Sequence, residues 1–163
     1  VFSTLHTNDS IAAFTRLIDM GVEPFLVASS VRAVEAQRLV RRLCPDCSQP
    51  TTLPHGSHDM IEALRARYPQ LLATEPNWRT AHGCPTCHQS GYRGRLGIYE
   101  FVEVSPELQS AIMQRLPSHE LTAIARSEGY RNLREDGMIK AWRGETSLDE
   151  VLRVTGSSNA EDA

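Results

Sequence analysis

Apolar residues recur along this chain in two rhythms, and each change of rhythm marks an element. Val1-Phe2-Ser3-Thr4-Leu5 is a β-type run and predicts a strand. The polar cluster His6-Thr7-Asn8-Asp9-Ser10 is rich in capping residues. Ile11, Phe14, Leu17 and Ile18 then recur on one helical face until Gly21 stops it. Pro24 suits the first turn of a second helix running to Ser29 or Ser30. Val31 to Leu43 carries both signals, since Arg32, Glu35 and Ala36 would also sit in a helix. Its β-branched residues and partial alternation make a strand the reading. Further on, Ser57 opens a helix carrying Ile61, Leu64 and Tyr68, which Pro69 ends. Gly97 to Val104 alternates as a half-buried strand does.

A run of short helices follows. Ser105-Pro106 starts one that ends near Leu116. Ser118 caps the next, with Leu121, Ile124 and Ala125 inward and Gly129 after its end. Asn132 caps a third, carrying Leu133, Met138, Ile139 and Trp142, closed by Gly144. Ser147-Leu148-Asp149-Glu150 reads as a capping box for the last, whose apolar residues are Val151, Leu152 and Val154. The small polar residues from Gly156 to Ala163 predict a disordered tail. The fold class is therefore α/β, followed by a small helical module.

Composition narrows this little. Hydrophobic residues are 40% and charged residues 23%, as in ordinary globular proteins. No apolar run approaches the ~20 residues of a membrane span. A net charge of −3 argues against a dedicated nucleic-acid binder. Arg41 and Arg42 read as a solvated face or a subunit contact. Arg93 and Arg95 would touch phosphate only in a nucleic-acid ribbon, which the acidic balance disfavours. The chain opens at Val1, in mid-strand, and reads as a piece of a longer protein.

Chemistry concentrates in the cysteines. All four lie in two matched knuckles, Cys44-Pro45-Asp46-Cys47 and Cys84-Pro85-Thr86-Cys87. Two C-x-x-C turns can aim four thiolates at one tetrahedral ion, and the prolines fix φ within each turn. Gly83, Gly91 and Gly94 supply permissive backbone around the second pair. Two disulfides would need an oxidising compartment, for which no export signal speaks, and a thioredoxin-type site needs only one such pair. Zinc is the expected ion, with iron the alternative. Four thiolates leave no open coordination position, so its role is structural. His55, His58, His82 and His88 are alternative ligands for a site of three cysteines and one histidine; His119 opens a helix at the surface. The stretch between the knuckles exceeds the ~15–20 residues of a compact zinc ribbon, so the metal closes a subdomain. Trp78 and Trp142 read as packing residues.

Several segments together resemble the secretion ATPases that power bacterial type II secretion and type IV pilus assembly. Ser3-Thr4-Leu5-His6-Thr7-Asn8 resembles their histidine box, and Thr15 to Phe25 is similar to the segment after it. Ala36 to Cys44 and Gly91 to Glu100 resemble the runs flanking the family's tetracysteine loop. Leu133-Arg134-Glu135-Asp136-Gly137-Met138 and Ser147 to Thr155 resemble its closing helices. Met20-Gly21-Val22-Glu23-Pro24 and Leu152-Arg153-Val154-Thr155 favour the type II secretion branch, with pilus extension the alternative.

The resemblance implies that residues 1–43 are the C-terminal part of a RecA-like P-loop ATPase core. Residues 44–95 would be a tetracysteine zinc subdomain with ligands Cys44, Cys47, Cys84 and Cys87, and 96–155 a strand plus helical module. It also implies a hexamer, ATP and Mg²⁺ in the full-length protein, and a cytoplasmic place against an inner-membrane secretion platform. His6 follows the first strand, where open α/β sheets put ligand-contacting residues, and by resemblance contacts the γ-phosphate. Its plainer role is a loop histidine bonded to Thr7 or Asn8. Thr4 and Thr7 are weaker candidates. Arg38 matches a segment near the nucleotide pocket and subunit boundary, and its plainer role, were this segment helical, is an ion pair with Glu35 three residues earlier. No G-x-x-x-x-G-K-[ST] loop is present, nor the family's acidic metal-binding segment, so this chain alone is expected to be inactive. A free zinc-ribbon module for nucleic acid or protein is the reading from another class.

Overall fold

The computed structural model of the chain describes residues 1–54 and 56–156. Residues 1–7 have no regular structure, and Val1 and Phe2 stand fully exposed, so the strand expected over Val1–Leu5 does not form. A strand is held by pairing its N–H and C=O groups with a neighbour. Among the described residues, both sheets are built from other segments. The tail expected to be disordered lies outside the described residues beyond Gly156.

Helix α1 spans Ala12–Asp19, and Asp9 caps it by accepting the Ala12 N–H on Oδ1 at 2.7 Å. Helix α2, Pro24–Ser30, starts on its proline as expected. The ambiguous segment is a strand, β1, over Ala33–Leu43. It pairs with β4, Tyr92–Glu103, which begins earlier than the expected Gly97. Between them lie helix α3, His58–Arg67, and a ribbon of two very short strands, β2 (Gln49–Pro50) and β3 (Arg79–Thr80). These two pair antiparallel, Gln49 opposite Thr80 and Pro50 opposite Arg79. Helices α4 (Pro106–Met113), α5 (Ser118–Ser127), α6 (Leu133–Trp142) and α7 (Leu148–Thr155) complete the chain.

Two compact units result, each drawn from two separate stretches. Unit 1 takes Val1–Ala36 and Tyr99–Asn132; unit 2 takes Gln37–Ile98 and the described residues from Leu133 onward. In unit 1 a single apolar cluster joins Ile11 just before α1, Phe14 of α1, Val27 of α2, Val102 of β4, Leu108 and Ile112 of α4, and Leu121 of α5. Ser105 caps α4 by accepting the Leu108 N–H at 3.1 Å. Ser118 does not cap α5. Pro117 holds the cap position, and Ser118, already helical, places its Oγ 3.1 Å from Thr15 Oγ1. Glu100 is buried, its carboxylate accepting the Ser10 N–H and, at 3.0 Å, the Tyr130 hydroxyl.

In unit 2, Ile61 and Leu64 of α3 and nearby Leu72 pack with Met138, Ile139 and Trp142 of α6 and Val151 of α7. Trp78 meets Trp142 edge-on at 5.5 Å, and Trp142 Nε1 donates to the Thr74 carbonyl at 3.1 Å, so both tryptophans are packing residues. A second small cluster joins Val40 of β1, Ile98 of β4 and Leu133 of α6. Ser147 Oγ accepts the Glu150 N–H at 3.2 Å and so caps α7. The reciprocal half of the expected capping box is missing, because the Glu150 carboxylate is bound by Arg41 and Arg153 instead.

Candidate metal centre

The ends of β1 and β4 in unit 2 carry the cysteine knuckles. Cys44 follows the last residue of β1, and its N–H donates to the Gly91 carbonyl, just before β4, at 2.9 Å. Cys87 closes a single 3₁₀ turn, Pro85–Cys87. The chain then bends through His88 and Gln89, both with positive φ, which brings the Gly91 N–H to Cys87 Sγ at 3.2 Å. Gly91 can be no other residue without displacement: φ is +74°, and a Cβ there would meet Ala81 Cβ at 2.6 Å and the His82 nitrogen at 2.9 Å. Gly83, at φ +121°, is similarly pressed against the Gln89 carbonyl.

Cys44 Sγ lies 3.9 Å from Cys84 Sγ, Cys47 Sγ 3.7 Å from Cys87 Sγ, and Cys84 Sγ 3.7 Å from Cys87 Sγ. All four sulfurs fall within 4.8 Å of one another. Four sulfurs bound at about 2.3 Å to one tetrahedral ion stand about 3.8 Å apart, so the donor set fits a zinc-sized thiophilic cation. Bonded sulfurs would be about 2.05 Å apart, and all four cysteines are free. Cys44 and Cys87 are buried.

Backbone N–H groups aim at the sulfurs: Gly83 donates to Cys47 Sγ at 3.3 Å, and Cys84 to Cys87 Sγ at 3.2 Å. Burial works against the Cys87 thiolate, but the Cys84 and Gly91 N–H groups outweigh it and bring its pKa down to about 6. Burial instead pushes Cys47 up to about 12, against the pull of the Gly83 N–H. Four thiolates this close repel one another, and a dication at their centre removes that conflict. The arrangement can hold a metal ion; it presents no free coordination corner for chemistry.

Among the described residues, this is the one group of histidine, cysteine or acidic side chains close enough to hold a metal. His82 and His88 stand outside it, His58 begins α3, and His55 lies outside the described residues. His119 is exposed, 4.0 Å from Glu120.

His6 belongs to unit 1, whereas Arg38 and the cysteines belong to unit 2. His6 is exposed and follows no strand, so the argument from a strand end does not apply to it. Thr4 is exposed too, and Thr7 Oγ1 donates to the Asp9 carbonyl at 2.9 Å. Arg38 Nη1 donates to the Val154 carbonyl at 2.7 Å and so holds the last turn of α7. Its expected pairing with Glu35 presupposed a helix; in a strand, residues three apart point to opposite faces. Arg41 is no plain solvated face, because its guanidinium donates to Glu150 at 2.7 Å. Arg42, Arg93 and Arg95 are exposed. Sequence reasoning missed the partners of Glu150, since a capping-box pattern assigns that side chain to the nearest backbone and gives no sign of a strand residue far upstream.

Residues 1–153 match the family described as "Type II/IV secretion system protein". The chain is 47% identical over 155 residues to Type II secretion system protein E of Pseudomonas aeruginosa, which covers 95% of this chain and 29% of that protein. It is 42% identical over 158 residues to Type II secretion system ATPase E of Vibrio cholerae, covering 97% and 30%. It is also 43% identical over 157 residues to Type IV pilus assembly ATPase PilB of Acinetobacter baylyi, covering 95% and 26%. The chain thus spans less than a third of the length of these relatives.

Proposed function

We propose, from the premise that this chain belongs to the Type II/IV secretion system protein family, that it is the C-terminal region of a type II secretion ATPase. The observation that carries this is 47% identity over 95% of the chain to a protein named for type II secretion. The full-length protein would be a cytoplasmic hexamer at the inner-membrane secretion platform, turning ATP hydrolysis with Mg²⁺ into pseudopilus assembly. Residues 1–43 would close its RecA-like core, 44–95 would form the zinc-bearing part, and 96–155 the terminal module. His6 would contact the γ-phosphate. Arg38 would serve the nucleotide pocket or the subunit boundary as well as the end of α7.

Zinc supplies structure here: held by Cys44, Cys47, Cys84 and Cys87, it would cross-link the ends of β1 and β4. Phosphoryl transfer needs a phosphate cradle, Mg²⁺ and a positioned water together, and this sequence carries no phosphate loop. Residues 1–163 alone are therefore expected to hydrolyse no ATP. Pilus extension is the second reading, favoured by the identity to PilB. A free ribbon module is disfavoured, because the knuckles are continuous with strands whose residues pack in the Val40–Ile98–Leu133 cluster.

The test is complementation. The full-length protein is expressed in one strain lacking its type II secretion ATPase and in another lacking its pilus extension ATPase. Restored export of a secreted enzyme, lost again in His6→Ala, supports the proposal. Restored twitching without export moves the assignment to pilus assembly.

A further inference from the structure

Within unit 2, each strand end that leads to a knuckle also grips the start of α7, between Glu145 and Glu150. On the β1 side, the Arg41 N–H donates to Glu150 Oε1 at 3.0 Å and its guanidinium to Oε2 at 2.7 Å. The Arg41 carbonyl accepts the Thr146 hydroxyl at 2.8 Å, and the Leu43 N–H donates to the Glu145 carbonyl at 3.0 Å. Cys44 is the next residue. On the β4 side, Gly91 contacts Cys87 Sγ through its N–H and Cys44 through its carbonyl. Tyr92 comes next. Its ring lies under the Arg41 guanidinium at 4.0 Å, and its hydroxyl is 2.8 Å from Ser147 Oγ, the cap of α7.

The node is Glu150. Its side chain is fully buried, and Arg153 donates to both carboxylate oxygens at 2.9 and 2.7 Å. A buried carboxylate is tolerated only when its charge is matched and its lone pairs are filled. Here two guanidiniums and one backbone N–H meet both conditions, which fixes Arg41 and, through its backbone, the strand end beside Cys44. No group in this set is a metal ligand. All of them stand behind ligands or behind the N–H donors that face the sulfurs.

We propose that Glu150 and Tyr92 are positioning residues for the tetracysteine centre, and that they couple metal binding to the order of the first turn of α7. The proposal rests on the reading of the four cysteines as a metal site. Coupling of this kind is reciprocal: whatever the metal adds to the order of α7, an ordered α7 adds to metal affinity. Groups behind a first coordination sphere commonly change metal affinity by about 10–100-fold.

The experiment uses the zinc-loaded full-length protein and measures zinc affinity by competition with a chromogenic chelator, and amide exchange by mass spectrometry. Chelation is expected to speed exchange over residues 147–152. Glu150→Gln removes the charge that holds Arg41 and should weaken zinc binding about tenfold or more. Tyr92→Phe keeps the ring under Arg41, loses only the hydroxyl, and should show a smaller loss of the same sign. Phe14→Ala empties the core of unit 1, touches neither α7 nor the knuckles, and should leave zinc affinity within about twofold. The coupling is overturned if one zinc binds per chain yet Glu150→Gln and Tyr92→Phe hold it as tightly as wild type. It is overturned equally if Phe14→Ala, which only destabilises unit 1, weakens zinc as much as Glu150→Gln does. A protein that neither contains nor takes up zinc overturns the metal reading itself, and the coupling with it.

Discussion

Unit 1 and unit 2 are made of similar helices and share the two long strands, yet they are held in different ways. Unit 1 closes around one apolar cluster with Phe14 fully buried at its centre. Its buried Glu100 accepts the Ser10 N–H and the Tyr130 hydroxyl. Unit 2 divides its apolar residues between two clusters, and adds four convergent thiols and a buried carboxylate gripped by two guanidiniums. Small cores supply little net stability, and metals are a common remedy. The comparison teaches that the two units should fail for different reasons, and each can be attacked separately.

The largest effect should come from the metal. Structural zinc binding in small domains is worth about 10–16 kcal/mol, and it is folding free energy because the site does not exist in the unfolded chain. Stripping the metal, or replacing Cys87 by serine, should therefore abolish slow amide exchange across the knuckles and α7 while leaving the α1, α2, α4 and α5 amides protected. Exchange read by mass spectrometry checks both halves. Unit 2 amides that stay protected after verified metal loss would break the comparison. Next comes Phe14→Ala. Emptying a site this buried costs about 3–5 kcal/mol. It should lower the melting temperature and expose unit 1 amides, with metal content the same as in wild type.

Acid should act on unit 2 through Glu150. Burial opposes its ionisation, but the Arg153 and Arg41 guanidiniums and the Arg41 N–H outweigh burial and lower its pKa from 4.5 to about 2. A carboxylate with a folded pKa below its unfolded one stabilises the fold above the unfolded pKa. That stabilisation fades as pH falls from about 4.5 toward about 2. The shift corresponds to roughly 3 kcal/mol at neutral pH, an order-of-magnitude figure. Denaturant melts of wild type should therefore lose stability over that window. Glu150→Gln, weaker at neutral pH, should show a correspondingly flatter profile. Parallel slopes for the two proteins would remove Glu150 from the account.

Much of this was legible in the residues, for reasons that also explain the gaps. Helices α1, α2, α3 and α4 follow from caps, prolines and apolar spacing, because those are local properties of the chain. The cysteine cluster was equally legible, since matched C-x-x-C turns have few other uses. Pairing was not. Val1–Leu5 has strand composition but no neighbouring strand among the described residues, while Gln49–Pro50 has poor strand composition and pairs with Arg79–Thr80. Periodicity tells which face of an element is buried, not what covers it. It therefore gives no sign that residues 99–132 pack with the first 36, or that Glu150 faces Arg41. Polar contacts over such sequence distances leave no local pattern.

The smallest effect separates the units most finely, because it compares the same residue in the same role. Ser105 and Ser147 each cap a helix, accepting the Leu108 N–H at 3.1 Å and the Glu150 N–H at 3.2 Å. Losing such a cap costs about 1 kcal/mol. Ser105→Ala in unit 1 should cost about that and no more, since what its side chain supplies is the cap. Ser147 also meets the Tyr92 hydroxyl at 2.8 Å and is buried. Its loss takes away the cap and a partner of Tyr92, so Ser147→Ala should cost about 2 kcal/mol. In the Tyr92→Phe background that excess has no partner left to lose, and the two caps should become equal to within about 0.5 kcal/mol. Equal costs in the wild-type background would mean that the Tyr92–Ser147 contact carries no energy, and that α7 is capped as independently as α4.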